Sequence, residues 1–491
     1  MPDQPGVKGQ NLSAGFWRIL LAAGVGLGGT LSIHAQALEA TGSIAHVRIL
    51  KIQAANGDLL DETLINGPST PPPGFDLQRQ AVFLPKPARS ASSNSLTTPA
   101  FTWVFGCSAV SGAMIAGYYD RTGYPNMYAG PTNGGVMPLD NSSWPTWADS
   151  VPTTYPNCPL IASKAGVDGR VAKGSIDDYW VSYNSTANDP YTGHWAQHTW
   201  GTAIGDYMKT SQKAYANVDG STTFHTYVSS ASPLTAAAMV SGGVASKDGT
   251  YGRKLFYEAR GYTVTECYNQ KTDNTIDGGF SFLQFKAEID AGRPVMLNLA
   301  GHTVVGVGYN DTGSTVYLHD TWDTSTHTMT WGDSYSGMEL LSVSIVNLGP
   351  PPASPTLTSF NPALAPIGDV VTLSGTGFTG TLSVSFNGTF ASAFTVDGPT
   401  QISVTVPAGA TTGKVAVTTL GGTAQSISDF TIITYDLNGD GHIDLKDVAR
   451  IARYFGTTKA GDPTGFQTQY DLNGDGSISE QDATILFSEL D

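Results

Sequence analysis

Small and apolar residues first fall into a helical period between Phe101 and Asp120, FTWVFGCSAVSGAMIAGYYD. Ala109, Ala113 and Gly117 lie four apart with Val110 and Met114 beside them, which predicts a helix over Cys107 to Tyr119 with one narrow face packed closely on a neighbouring sheet. Further helical patterns lie near Trp200 to Thr210 and over Phe282 to Ala291, the latter ended by Gly292. The period then shortens to two. Pro294 to Leu299 reads as a strand, and a hairpin follows, with arms Thr303 to Tyr309 and Thr315 to His319 around the turn Asn310-Asp311-Thr312-Gly313. Helices followed by an antiparallel sheet predict an α+β domain over residues 98–348. Ahead of it, residues 38–97 hold one strand pattern, His46 to Gln53, a Pro71 to Pro73 turn and a Ser/Thr/Pro-rich stretch. They read either as a proregion or as an N-terminal strand and tether of the same domain.

Gly349-Pro350-Pro351-Pro352 marks a linker, residues 349–353. Beyond it, residues 354–433 are almost wholly Thr, Ser, Val, Gly and Phe. Short alternating runs, Val370 to Ser374, Leu382 to Phe386, Ile402 to Val406 and Lys414 to Thr418, are broken by Gly, Asn and Pro turns, the pattern of a small all-β sandwich. A second boundary falls at Thr434, and helix patterns Val448 to Phe455 and Ala483 to Leu490 close the chain.

At 491 residues and 40% hydrophobic content the chain is long enough for several buried cores. Acidic residues outnumber basic ones 41 to 25, which argues against nucleic acid or an anionic membrane as partner. The excess is uneven: from Thr434 onward there are 11 acidic and 4 basic residues, a density that points to cation binding. Lys8 and Arg18, an apolar stretch from Ile19 to about Ile33, and Ala35-Gln36-Ala37 read as an export signal over residues 1–37. A membrane anchor needs about twenty apolar residues, and this stretch is shorter and glycine-rich. Export to an oxidising compartment sorts the three cysteines into one pair and one leftover, Cys158 with Cys267 and Cys107 free, although the opposite sorting also fits the sequence.

A lone cysteine is more often structural than reactive, so Cys107 gains meaning only from its surroundings. At a helix N-terminus the unpaired N–H groups and the positive end of the macrodipole favour a thiolate. Thiol-based peptide cleavage also needs a histidine to take and return the proton and a third group to orient the imidazole. His302 stands at the mouth of the predicted hairpin. With the turn centred on Asp311, Asp320 lies opposite His302, about 5 Å away at the backbone. A bulge at Gly313 would shift that pairing by one residue.

Five stretches then carry a resemblance: Trp103 to Pro125, GSIDDYW (Gly174 to Trp180), AEIDAGRPV (Ala287 to Val295), GHTVVGVGYN (Gly301 to Asn310) and YLHDTWD (Tyr317 to Asp323). In this order the chain resembles the C39-like group of papain-fold cysteine peptidases. The resemblance implies Cys107 as nucleophile, His302 as general base and acid, and Asp320 as the orienting group, with no cofactor for catalysis. Papain-like enzymes usually place a glutamine a few residues before the cysteine as oxyanion donor. Here none lies between Phe101 and Cys107, which leaves the Cys107 N–H and a second donor such as the Trp103 indole or a more distant Gln.

The stretch SFNPALAPIGDVVTLSGTGF with FNG, VPAGATTG and GGTAQSISDFTI makes residues 354–433 similar to IPT/TIG immunoglobulin-like domains, a resemblance that implies fold and says little of function. The tail repeats YDLNGDGHIDLKD and YDLNGDGSISEQD from Tyr435 and Tyr470, 35 residues apart. Acids and amides at loop positions 1, 3, 5 and 12 around a glycine at 6 are calcium-loop chemistry. The ligands are expected to be Asp436, Asn438, Asp440, His442 through its carbonyl, Asp444 and Asp447, then Asp471, Asn473, Asp475, Ser477 through its carbonyl, Ser479 and Asp482. Asp at position 12 and a helix after each loop make residues 434–491 similar to a type I dockerin, an EF-hand-like module. That resemblance implies two Ca2+ ions and a cohesin partner on a scaffold or cell surface.

Together these readings predict a secreted or surface-associated cysteine peptidase that acts on a peptide or protein substrate through a Cys107 thioester. It is expected to bind no nucleic acid and to have no membrane span once the signal is removed. A second reading is a non-catalytic surface or scaffold protein whose papain-like domain only binds peptide. A third is an accessory component of a polysaccharide-degrading complex, although the sequence offers no paired-carboxylate site for glycoside cleavage.

Overall fold

The computed structural model describes residues 36–44, 46–67, 71, 79–84, 92–103, 106–128, 136–143, 146–148, 154–156, 161, 203–212, 215–217, 220–440 and 442–490. Residues 1–35 of the expected export signal, Cys158 and the Gly174–Trp180 block lie outside them.

In chain order the first half holds β1 (Gln36–Ile44), β2 (Val47–Gln53), β3 (Leu59–Ile65), β4 (Ser93–Ser95), α1 (Cys107–Arg121), β5 (Thr146–Ala148), β6 (Thr154–Pro156), α2 (Ile204–Tyr207) and β7 (Thr222–Tyr227). Next come β8 (Leu234–Thr235), α3 (Ala236–Ser241), α4 (Gly249–Ala259), β9 (Val264–Lys271) and α5 (Phe282–Asp290). The strands β10 (Val295–Leu299), β11 (His302–Asn310), β12 (Thr315–His319), β13 (His327–Thr330), β14 (Ser334–Tyr335) and β15 (Met338–Leu348) follow. Antiparallel pairing builds one large sheet in the order β13-β12-β11-β10-β15-β9-β8, with β4 added on β11 and β14 on β15. A second sheet runs β1-β2-β3-β7, so the N-terminal strands are paired into the same body.

The large sheet is covered on both faces, which is why β10 and β11 are buried without alternation. Met296, Val305 and Val307 pack with α1, while Leu297, Leu299 and Val304 pack with Phe285 and Ile289 of α5. Gly306 is what lets the Phe285 ring lie on β11: a Cβ there would come within 2.6 Å of the ring. Helix α1 is buried on every side from Cys107 to Asp120, the mark of a helix in the middle of a core. Its expected sheet face is displaced. Ser108 and Ser111 hydrogen-bond Thr303 of β11 at 2.8 and 3.1 Å. Gly117 instead meets Met137 and Pro99, and Ala109 lies against Gly205 of α2.

Residues Thr356–Asn361, Val370–Thr376, Gln401–Thr405 and Phe394–Gly398 form one sheet of the sandwich. Thr389–Phe390, Thr381–Phe386, Val415–Thr419 and Gly422–Gln425 form the other. Alternate residues of both, Val371, Leu373, Val404, Val384, Phe386 and Val417 among them, share one core. The linker is seated rather than free, since the Tyr124 hydroxyl donates to the Gly349 carbonyl at 2.5 Å. The tail helices α6 (Leu445–Ala452) and α7 (Glu480–Ser488) start three residues earlier than the apolar pattern predicts, because Asp444 and Ser479 cap them from within the acidic loops.

Candidate active site

Three segments meet at Cys107. Gly106 enters α1 at φ 131, a conformation open to glycine, and puts Cys107 in the first helical turn, where its N–H has no intrahelical acceptor. His302 comes from the first residue of β11, and Gly67 from the exit of β3. The position that a Cβ on Gly67 would occupy lies 2.7 Å from Cys107 Sγ and overlaps His302 Nδ1, so thiol and imidazole flank the same point. Both side chains are fully buried.

The imidazole is held from its far side. Nε2 lies 2.6 Å from the Asp320 carbonyl oxygen and 3.2 Å from Thr321 Oγ1. A carbonyl only accepts, so Nε2 carries the proton and Nδ1 presents its lone pair. Nδ1 has no other hydrogen-bond partner among the described residues. Trp322 stacks flat on the ring, with centroids 4.0 Å apart and planes 14° apart. Burial pushes the Cys107 thiol up, but the charge and hydrogen bond of His302, with the backbone N–H groups of Thr303 and Gly67, outweigh it and hold the thiol below its ordinary value.

Asp320 is present through a different atom than its sequence position suggested. Its carboxylate accepts from Arg79 Nε at 2.7 Å, the Tyr335 hydroxyl at 2.7 Å and the Trp322 N–H at 3.0 Å, and only its carbonyl reaches His302. The register explains the difference. Asn310, Tyr309 and Gly308 pair with Thr315, Val316 and Tyr317 around a 3-10 turn at Thr312–Ser314, which Asn310 fixes by accepting the Thr312 N–H at 2.8 Å. An irregularity between Gly306 and Gly308 then brings Val305 opposite His319. Continued past His319, that register brings Trp322 level with His302, which is where the stacked ring is found.

Asp323 and His327 extend the charged cluster: Arg79 Nη2 lies 2.9 Å from Asp323, and His327 Nε2 lies 3.0 Å from Asp323 and 3.6 Å from Asp320. The candidate second oxyanion donor, the Trp103 indole, donates to the Gly67 carbonyl at 3.0 Å. Cys267 is a free thiol, and Cys158, its expected partner, lies outside the described residues. It faces the Thr250 carbonyl at 3.8 Å, and burial pushes it up to about 12.

The expected calcium ligands gather in two loops. Asp447 and Asp482 are buried and accept the N–H groups of Leu437 and Asn438, and of Leu472 and Asn473. Asp436 accepts from Gly439 and Asp440, while His442 and Ser477 donate their N–H groups to Asp440 and Asp475. In the second loop Asp471 Oδ1 is buried without a partner among the described residues, and burial, then the charges of Asp482 and Asp475, push this carboxyl up. Carboxylates that converge without a counter-charge suit a divalent cation. The first loop already has a cation beside it: Lys446 Nζ lies 3.0 Å from both Asp440 and Asp444.

The Peptidase_C39 like family model matches residues 231–339, the IPT/TIG domain model residues 355–435 and the Dockerin type I domain model residues 434–491. The chain carries these three modules in that order. The first match includes His302 and Asp320 but not Cys107. Type I dockerin domains bind calcium and cohesin partners. No curated protein matches the chain. Among solved structures, similarity is found to SGBP-B from a complex xyloglucan utilization locus of Bacteroides uniformis, at 16% identity, 29% of this chain, 37% of that one and a TM-score of 0.16. A structure solved with xylogluco-oligosaccharide matches at 21% identity, 30% of this chain, 37% of that one and a TM-score of 0.17. Gamma-CGTase from alkalophilic Bacillus clarkii matches at 15% identity, 38% of this chain, 29% of that one and a TM-score of 0.15. The chain thus spans well under half of each of these proteins. Among the described residues no helix is long and apolar enough to cross a membrane.

Proposed function

We propose that the chain is an exported cysteine-type peptidase of papain-like α+β fold, carried on the IPT/TIG sandwich and anchored by the dockerin to a cohesin-bearing scaffold or cell surface. The observation that carries this reading is the His302 ring, whose protonated Nε2 is fixed on Asp320 while its bare Nδ1 lies with Cys107 Sγ over Gly67. In that arrangement Nδ1 takes the thiol proton and the thiolate attacks a peptide carbonyl carbon. His302 then returns the proton to the leaving amine as the C–N bond breaks, and a thioester remains on Cys107. Water, deprotonated by Nδ1, attacks the thioester and restores the thiol. The Cys107 N–H and the Trp103 indole are the candidate donors to the oxyanion. Asp320 is a positioning residue, acting through its carbonyl.

Residues Asp436, Asn438, Asp440, His442, Asp444 and Asp447, and Asp471, Asn473, Asp475, Ser477, Ser479 and Asp482, would hold one Ca2+ each in an EF-hand-like module and organise the face that meets a cohesin. The test is hydrolysis of a peptide library by the full chain: Cys107→Ala should abolish cleavage and His302→Ala should lower it by about a thousandfold or more. Cleavage that survives Cys107→Ala would sink the reading. The complete burial of Cys107 and His302 favours a second reading, a domain that binds peptide without cleaving it. Retained peptide binding with no turnover, in wild type and in variants that open the site, would support it.

A further inference from the structure

The exit of β3 runs Ile65-Asn66-Gly67, and Gly67 sits on the Cys107–His302 pair. No residue with a Cβ fits there, since that carbon would overlap His302 Nδ1 and press on Cys107 Sγ. Three contacts fix the position. The Gly67 carbonyl accepts from the buried Trp103 indole at 3.0 Å, its N–H faces the sulfur, and the preceding Asn66 N–H donates to the His46 carbonyl at 3.0 Å. Behind them β3 pairs with β7 from Leu60↔Tyr227 to Ile65↔Thr222. Farther along the same segment Arg79 binds Asp320 and Asp323 and lies over Trp322, 5.2 Å from the ring centroid, on the far side of the cluster that holds His302.

A carbonyl oxygen on a hydrogen-bond donor beside a nucleophilic thiol stands where a scissile carbonyl has to stand. Two carbonyls cannot share the donor. We propose that the exit of β3 at Gly67 is a built-in inhibitor, in which the Gly67 carbonyl plugs the Trp103 oxyanion donor and the Gly67 backbone covers the thiol and imidazole. Substrate reaches Cys107 only after Gly67 lifts away, and Arg79 is the second latch that must yield. The inference rests on Cys107 and His302 being the reacting pair. It turns the absence of an upstream glutamine into a consequence: Trp103 takes that part, and the chain itself occupies it.

The test uses the full chain and four forms, wild type, Gly67→Ala, Arg79→Gln and Trp103→Phe. Cys107 alkylation is followed by peptide mapping, and peptide hydrolysis is measured alongside. Cys107 of the wild type should react slowly, and Gly67→Ala and Arg79→Gln should each raise its rate by about tenfold or more, with a parallel gain in hydrolysis. Trp103→Phe should speed alkylation yet hydrolyse about a hundredfold more slowly than Gly67→Ala, because it frees the segment and removes the donor together. Cys267, buried in the core, is the internal control, since a variant that merely unfolds alkylates it too. Should Gly67→Ala unfold, Arg79→Gln decides. Equal Cys107 rates in wild type and Arg79→Gln, with Cys267 protected, overturn the inhibitor, as does cleavage of the wild-type chain after Gly67. Faster alkylation without hydrolysis in the opened variants upholds the inhibitor and overturns the peptidase reading.

Discussion

His302 donates its Nε2–H to the Asp320 carbonyl, so the nitrogen facing Cys107 is the one that presents a lone pair. Cys267 offers the contrast within the same domain. Its thiol is pushed up to about 12 by burial, then by Asp248, with no histidine to offset either. We expect Cys267 to stay unmodified by iodoacetamide at neutral pH in the folded chain and to react only with denaturant; modification at native conditions would contradict its burial. At this scale the sequence was readable where a residue has a local signature. Cys107 follows a glycine at a helix start, and His302 follows a glycine at a strand start. Gly67, Arg79 and Trp322 have none. Arg79 meets Asp320 across 241 positions, and Gly67 is an ordinary Asn-Gly-Pro turn until the fold lays it on the thiol.

The bounds of the expected strands followed the hydrophobic period closely, as with Thr315–His319, which matches its expected range, whereas the tail helices are set by their caps. The pairing register did not, because it depends on a 3-10 turn and an irregularity at Gly306 to Gly308 that no period encodes. The small-residue face of α1 failed for a related reason: a helix buried all round has no single face to read. Phe285 fixes α5 on β11, and Phe285→Ala should cost about 3–5 kcal/mol, read as a lowered denaturation midpoint of this domain with the sandwich unaffected. The β3–β7 seam is pH-dependent. Burial raises Glu62, but the His225 hydrogen bond and Lys247 outweigh it and bring it down to about 2 from an ordinary 4.5. Burial lowers His225, but Asp248 and Glu62 outweigh it and raise it above 6.5. A depressed acid stabilises above its unfolded value and loses this as pH falls towards 2. A raised histidine stabilises below its unfolded value and loses this as pH rises through the folded one. Both act together between about pH 4.5 and 6.5. Hydrogen exchange of β3 amides, corrected for intrinsic rates, should show greatest protection there, and Glu62→Gln should flatten the acid limb; protection that keeps rising above pH 8 would refute the linkage.

The order of modules was the most legible feature of the whole molecule. Repeats and composition carry it without any long-range contact, and the three family matches fall in the expected order. What composition hid is that the modules touch: Leu364 of the sandwich lies against Gly474, and Ile433 is buried in the tail core. Calcium removal is expected to melt the tail after Thr434 while peptide hydrolysis persists. Differential scanning calorimetry with and without chelator should show one transition lost and that of the domain holding Cys107 unmoved. Simultaneous loss of hydrolysis would contradict independent modules.

Thiolate absorbance in the ultraviolet, titrated in the full chain against Cys107→Ser and His302→Ala, tests the central claim most directly. The difference between wild type and Cys107→Ser isolates Cys107 from the other thiols. A thiolate that persists well below the ordinary thiol range of about 8.5, and that moves upward in His302→Ala, is the predicted result. A Cys107 that titrates at or above that value, unchanged by His302→Ala, would contradict the account.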